Sequence, residues 1–486
     1  MEGMPDDVPD LLNVGAIPSN QSAMIDTDIL EPVIFSQDFI RFQLVNKGFL
    51  NPYSRITFQI ENIGADSASL SRGFLPVGVG ITSLIRRATL KIGTKTICEI
   101  DDFNHWSAYK SMFMSNETNK EREQYLSGRG ISHSQFYSGA RGTGAYFPEQ
   151  GALSSHIGLD NGQEYIYPTP VGVGVNNIAE LEVMDFQLVE NKGVFSITLE
   201  DLFPVFQKTS FPLYMLNNDM PVQIELTLES PTDGGRICVN GVSDASASNV
   251  NVDISVNRNE CRLIADYTTY DGNVMDAYAK KNSTLQFTYM DYRLTKSTLS
   301  EVDAQNQIRN VGGAGRLVPR MFVGINKNAC NTTGSDGWKT GLNKYISYAC
   351  EKDGLSGADT YGRLTSNIKK NDVFLYPIDR TNTALHFQAV KDTEGMLPFI
   401  SRSEYSRQGD RMTPSTLEKV SQSDSLQGNF FWTAYRMPDG ERVNSRGLEL
   451  TSKMNSLEAG TYTSRCWIEI VKVATLIDGQ FNCYYA

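Results

Sequence analysis

The chain has 486 residues, of which 40% are hydrophobic and 21% charged, and its net charge is −12. A single core stops growing at about 250–300 residues, so two domains are expected. The composition excludes a disordered chain, no apolar run approaches the ~18 residues of a membrane helix, and no Lys/Arg block offers the counterion release that nucleic-acid binding needs.

The N-terminal stretch MEGMPDDVPDLLNVGAIPSNQ is acidic and lacks the basic-then-apolar order of a signal peptide, so folding inside a cell is expected. Further on, the recurring signal is period two. FIRFQLV puts Ile40, Phe42 and Leu44 on one face with Arg41 and Gln43 on the other, and RITFQIE repeats this with Ile56, Phe58 and Ile60. SLIRRATLKIGTKTICEIDDF, from Ser83 to Phe103, reads as a hairpin in which a Gly93-Thr94 turn joins ATLKI to KTICEI. DDFNHWSAYKSMFM then reads as a helix capped by Asp101 or Asp102, with Trp106, Tyr109, Met112 and Phe113 on one side. NETNKEREQYL is a second helical candidate, ending at Gly128. FSITLE places Phe195, Ile197 and Leu199 on one strand face. VQIELTLE does so with Val222, Ile224, Leu226 and Leu228, and TLQFTY with Leu285, Phe287 and Tyr289. GLELTS and CWIEIVKVATL add strands near the end. Short runs with one apolar and one wet face indicate antiparallel sheets packed as sandwiches. Long irregular stretches at 127–177, 230–250, 327–363 and 401–429 interrupt them, and such loops are functional or interface-forming. The two halves join near YDGNVMDAYAKKNS, residues 270–283.

Little in the chain points to catalysis. Histidines at 105, 133, 156 and 386 and cysteines at 98, 238, 261, 330, 350, 466 and 483 form no His-Glu-x-x-His, Cys-x-x-Cys or close Cys/His set. The expected catalytic, cofactor-binding and metal residues are therefore none, and the cysteines read as reduced packing residues. Asn-x-Ser/Thr matches at Asn20, Asn116, Asn282 and Asn331 read as chance. GVGITS and GTKT lack the spacing of a phosphate loop, and no Gly-x-Ser-x-Gly elbow supports a Ser-His-Asp triad. His105 reads as a surface residue near a helix N-terminus. Arg86, Arg87, Asp101 and Asp102 read as solvated rims and a helix cap, with an intersubunit or interdomain ion-pair set as the competing reading. Trp106, Tyr109 and Phe113 read as core rather than as a ligand platform.

Five stretches, in this order, carry a resemblance: FQLVNKGFLNPYSRITF (42–58), FLPVGVGITSLIRRATLKIGTKTICEIDDFNHWSAYKSMFM (74–114), LEDLFPVFQKTSFPLYMLNNDMPVQIELTL (199–228), PDGERVNSRGLEL (438–450) and TYTSRCWIEIVKVATLIDG (461–479). They resemble the double jelly-roll major capsid proteins of polinton-like viruses and virophages, in the adenovirus-like and large DNA virus lineage. The resemblance implies an all-β fold of two tandem eight-stranded jelly rolls with long loop insertions and a few short helices. It divides the chain into an N-terminal arm (1–24), a first jelly roll (25–278) and a second (279–486). It implies a structural protein of the virion, not an enzyme and without cofactor, assembled inside the host cell. The implied assembly is a homotrimer forming a pseudo-hexagonal capsomer that tiles an icosahedral shell around a double-stranded DNA genome. Implied partners are neighbouring capsomers, penton and minor capsid proteins, with no sequence-specific nucleic-acid contact and no transmembrane segment; an internal membrane beneath the shell stays open. The arm is expected to dock on an adjacent capsomer or a minor protein. Two other readings compete: a tandem β-sandwich glycan-binding protein that uses some of its 22 Tyr and 23 Phe as stacking platforms, and a carbohydrate-active enzyme with paired carboxylates.

Overall fold

The computed structural model describes residues 23–63, 71–74, 80–110, 126–127, 167–168, 181–182, 194–207, 210–230, 238–241, 253–300, 306–327, 364–379, 383–394, 432–437, 441–454 and 461–486. Residues 1–22 and most of the four long irregular stretches lie outside them, as do Met112, Phe113, nearly all of NETNKEREQYL, His133, His156, Cys330 and Cys350.

The first half runs through β1 (Met24–Leu30), β2 (Ile34–Phe35), β3 (Phe39–Leu44), β4 (Phe49–Leu50), β5 (Arg55–Ile63), β6 (Ser71–Phe74), β7 (Ile85–Ile92), β8 (Lys95–Asp101) and α1 (Phe103–Tyr109). It continues with β9 (Tyr167–Pro168), β10 (Leu181–Glu182), β11 (Val194–Thr198), α2 (Leu199–Leu202), β12 (Phe211–Pro212), β13 (Val222–Leu228), β14 (Cys238–Gly241), β15 (Asp253–Val256), β16 (Arg262–Thr269) and α3 (Gly272–Lys281). The second half holds β17 (Thr284–Ser300), β18 (Asn306–Gly312), β19 (Arg320–Lys327), β20 (Leu364–Lys370), β21 (Val373–Phe374), α4 (Thr383–Glu394), β22 (Thr433–Arg436), β23 (Leu448–Met454), β24 (Thr461–Ile477) and β25 (Gln480–Tyr485).

In the first half the principal strands form one sheet in the order β1-β16-β5-β11 and a facing sheet in the order β3-β13-β7-β8. In the second half the orders are β17-β24-β19-β22 and β18-β23-β20-β21. Counting principal strands along each half, both halves place the first, eighth, third and sixth in one sheet and the second, seventh, fourth and fifth in the other. That order is the jelly roll, and it occurs twice. The symmetry is one of topology: hydrophobic alternation specifies which face of a strand is buried, whereas the crossover order follows from which strands find each other across long loops.

The period-two reading holds where one face meets a core. Across β3, β13 and β7 the register aligns Phe42 with Ile224 and Leu90, and Leu44 with Val222 and Ile92, and all six are buried. A one-residue slip would turn this whole set to water. On the opposite face Glu225 sits between Arg41 and Lys91 at 2.7 Å each, so a carboxylate among strands is neutralised from both sides. Gly93-Thr94 is the two-residue turn between β7 and β8, and Gly93 takes φ +60°, where a side chain would be strained.

Three sequence expectations are corrected. Leu199 is not in a strand: β11 stops at Thr198, and Leu199 opens α2, where it is buried all the same. The rule of one wet face fails on β24, which is buried on both faces from Tyr462 to Ile470, because one face meets the core of its own barrel and the other meets the first barrel. His105 is buried, not exposed, since all seven residues of α1 are enclosed.

Candidate functional site at the seam between the barrels

Three of the residues that sequence reading singled out, Asp102, Trp106 and Tyr109, converge where the two barrels meet. β8 is an edge strand of its sheet, and an edge strand leaves a row of backbone groups unpaired. Here side chains from the second barrel take up that row in place of another strand. The Ile97 carbonyl accepts from Tyr289 Oη at 3.0 Å and from Lys472 Nζ at 2.8 Å. The Glu99 amide donates to Asp291 Oδ1 at 3.3 Å, and the Asp101 carbonyl accepts from Trp467 Nε1 at 3.1 Å. At the near end of the strand Lys95 donates to Asn482.

The four conspicuous charges divide between the two readings. Arg87 and Asp101 face each other in the β7–β8 register and pair at the rim, both more than a third exposed, a setting in which ion pairs contribute about 0–1 kcal/mol. Arg86 is exposed. Asp102 behaves differently. It occupies the N-cap position of α1 but takes φ 47°, ψ 47°, and its side chain makes no cap bond. Its Oδ2 instead accepts from Lys296 Nζ and Arg465 Nε, each at 2.8 Å, both from the second barrel. Asp tolerates the left-handed region better than most residues, and the turn aims the carboxylate away from its own helix. The Asp102 and Arg465 side chains are only 13% and 5% exposed. Burial alone would raise the Asp102 carboxyl pKa; the Arg465 and Lys296 charges overcome that and hold it below the ordinary value.

Beside this ion-pair set lies an aromatic cluster. The Trp106 ring centroid is 4.3 Å from Tyr292, 5.3 Å from Phe322 and 6.0 Å from Trp467, all in the second barrel. Tyr109 lies 4.9 Å from Phe322 and 5.1 Å from Trp432. The reading of Trp106 and Tyr109 as core is right, with the addition that the core is shared between barrels. Toward the other end, Phe211 packs 6.1 Å from Phe287 and 5.9 Å from Phe481.

Sequence reading missed a buried polar set on β17, β19 and β24. Lys472 and Asp291 pair at 2.6 Å with almost no exposure. Arg293 adds contacts to Asp291 at 3.3 Å and to Glu99 at 3.5 Å. Glu469, also buried, accepts from Arg320 Nε and from Tyr292 Oη at 2.8 Å each. The available signal was Glu469 and Lys472 inside the otherwise apolar CWIEIVKVATL, where a charge on a two-sided buried strand requires a partner. Burial drives the Tyr289 hydroxyl and the Cys98 thiol pKa values well up, so both stay protonated at neutral pH.

Chemically the arrangement pairs charges and ties strand ends together. Among the described residues, no group of three His, Cys, Asp or Glu could hold a metal ion. His386 is a packing residue whose Nδ1 lies 2.9 Å from Thr433 Oγ1. Cys98, Cys261 and Cys466 are buried free thiols.

No family model matches the chain, and no curated protein matches it in sequence. Solved structures match it in fold. The quasi-atomic model of the PBCV-1 virus capsid superposes with a TM-score of 0.51 at 12% identity, covering 96% of this chain and 97% of that one. The Faustovirus major capsid protein gives 0.52 at 9% identity, over 93% and 90% of the two chains. The Sputnik virophage structure gives 0.52 at 10% identity, over 96% and 90%. The fold, over nearly the whole chain, is that of double jelly-roll capsid proteins.

Proposed function

We propose that this chain is a viral major capsid protein, a structural component of the virion rather than an enzyme. Its unit of assembly is a homotrimer in which six jelly rolls form a pseudo-hexagonal capsomer, and capsomers tile an icosahedral shell around double-stranded DNA. We divide the chain at residues 278 and 279, within α3. Neighbouring capsomers, penton and minor capsid proteins are its partners.

The observation that carries the reading is the seam. Two barrels of one strand order are held together by a shared aromatic core, by the ion pairs of Asp102 with Arg465 and Lys296, and by hydrogen bonds from Tyr289, Asp291, Trp467 and Lys472 to the edge of β8. The seam uses its acids and bases against each other, which suits mechanical coupling and leaves them no reaction to perform. The full-coverage fold likeness to capsid proteins supports the same reading.

Sedimentation velocity of the expressed full chain tests it. A species of three chain masses, formed without added sugar or nucleic acid, is expected. A stable monomer whose melting temperature rises on adding oligosaccharide would replace this reading with the glycan-binding one.

A further inference from the structure

We propose that Arg309, at one end of the second barrel, is the centre of a binding site for a small inorganic oxyanion of the phosphate type. The inference stands on the second barrel alone and goes beyond the shell-protein reading.

Strand pairing places the residue. On β18, Ile308 is 73% exposed, so by alternation Arg309 turns inward, and its partner in the β18–β23 register is the buried Leu450. It enters where β17 and β19 finish and β18 and β24 begin. β17 and β18 are edge strands of the two facing sheets, and Arg309 bridges the sheets there. Its Nη1 donates to Ser297 Oγ on β17 and its Nη2 to Ser464 Oγ on β24, the latter at 3.1 Å. The two serines face each other in the β17–β24 register. Val311, Leu450 and Cys466 beside them belong to the apolar core of this barrel, so a cation closes the end of that core.

Arg309 differs from the other enclosed cations in its lack of a counter-charge. Arg320 meets Glu469, Arg465 meets Asp102, Arg293 meets Asp291 and Glu99, and Lys472 meets Asp291. Among the described residues no carboxylate meets Arg309, and its Nε–H is buried with no acceptor. Burial holds its pKa below the ordinary arginine value, with the nearby Cys466 acting weakly against it. Arginine is rarely enclosed without a partner, because taking a cation out of water is costly.

The hydrogen-bonding groups at this end are also one-sided. A guanidinium has five N–H donors and no acceptor, and the two serines take one each. Both serine oxygens accept from the cation, and among the described residues neither hydroxyl donates to a protein group. Thr295, two residues back along β17, is different: its hydroxyl donates to the Val311 carbonyl at 2.9 Å. The serines thus hold the planar fork in one orientation and leave donors unspent. A tetrahedral oxyanion matches adjacent N–H groups with two oxygens and supplies the missing charge. Arg309 is only partly buried, so it reaches solvent between the β17 and β18 edges. The net charge of −12 repels extended polyanions and favours a small ion.

Thermal melting and phosphorus nuclear magnetic resonance of the full chain test this, with inorganic phosphate as the probe and chloride at equal ionic strength as the control. In ~50 mM phosphate the wild type is expected to melt about 1–2 °C above its value in chloride and to broaden the phosphate resonance. Arg309→Met keeps the apolar stem and removes the unmatched charge. It is expected to melt no lower than the wild type in chloride, to gain nothing from phosphate, and to bind phosphate about 10-fold more weakly. A Met variant that melts lower than the wild type by one fixed amount in both buffers would make Arg309 a structural tie and overturn the site. Equal phosphate shifts in both proteins overturn it too, since the ion would then act on the whole surface. A wild type that leaves the phosphate resonance sharp also overturns it. Should the Met variant fail to fold, Arg309→Lys keeps the charge without the fork and is expected to bind phosphate about threefold more weakly; unchanged broadening then overturns the assignment. The sedimentation test of the shell reading is independent of every one of these results.

Discussion

Replacing Trp106 by alanine removes the indole on which the two barrels close. It is 2% exposed, and of its four ring neighbours among the described residues three belong to the second barrel. Truncating a buried tryptophan costs about 3–5 kcal/mol, and the value depends on how far the surroundings collapse into the gap. Here the surroundings are Tyr109, Tyr292, Phe322 and Trp467, large rings fixed on strands and a helix, so the upper part of that range is expected. Each aromatic pair contributes about 0.5–1.5 kcal/mol beyond its area burial, so a double-mutant cycle with Tyr292→Ala should return a coupling of about 1 kcal/mol across the seam. Urea unfolding of the subunit, followed by tryptophan fluorescence and far-ultraviolet circular dichroism, measures both quantities. The wild-type barrels are expected to unfold together, because one apolar core runs through the first barrel and across the seam. In the variant the two signals should separate as the barrels uncouple. A loss below about 1 kcal/mol, with coupling near zero, would refute the idea that the seam is a shared core rather than two surfaces in contact.

Three further outcomes are expected. Lys472→Met leaves the enclosed Asp291 without its closest cation; a cost of about 3 kcal/mol is expected, and adding Asp291→Leu should recover most of it, since replacing both partners of a buried pair is close to neutral. Equal denaturation midpoints for the single and double variants would contradict this. Asp102 has a folded-state pKa below its unfolded value of 3.8, so its contribution is fully present above that pH and is lost as pH falls through the folded value. The stability gap between wild type and Asp102→Asn should therefore stay constant from about pH 8 to 5 and shrink below about pH 4; a gap that widens in acid would be evidence against the ion pair. Gly48→Ala should destabilise by more than about 1 kcal/mol, because φ is +53° and the new methyl would sit 2.9 Å from the Thr268 carbonyl, a backbone atom that cannot swing away. An unchanged melting temperature would mean that the turn relaxes.

The strands were legible because burial on one face writes itself into alternation. Ile40, Phe42 and Leu44, or Val222, Ile224 and Leu226, need nothing beyond period two to be read as core. The Gly93-Thr94 hairpin was legible for the same local reason. What sequence alone does not carry is what lies on the second face. Asp102 looks like a helix cap, because Asp before an amphipathic run usually is one, and only the left-handed turn sends its carboxylate to Arg465 and Lys296. His105 looks exposed, yet all seven residues of α1 are enclosed in the fold. Lys472 and Glu469 find their partners at Asp291 and Arg320, roughly 150–180 residues away in sequence, a distance over which no periodicity speaks. The repeated strand order was likewise visible only as two similar sets of short strands. Topology is fixed by pairings across long loops, and those leave no local trace.

Cryo-electron microscopy of the purified full chain, without partners, is the most direct test of self-association through shape. The expected particle is a ring of six β-barrels with three-fold symmetry, in which contacts within chains alternate with similar contacts between chains. Isolated two-barrel particles at every concentration, or a two-fold dimer joined through one surface on each copy, would contradict the account.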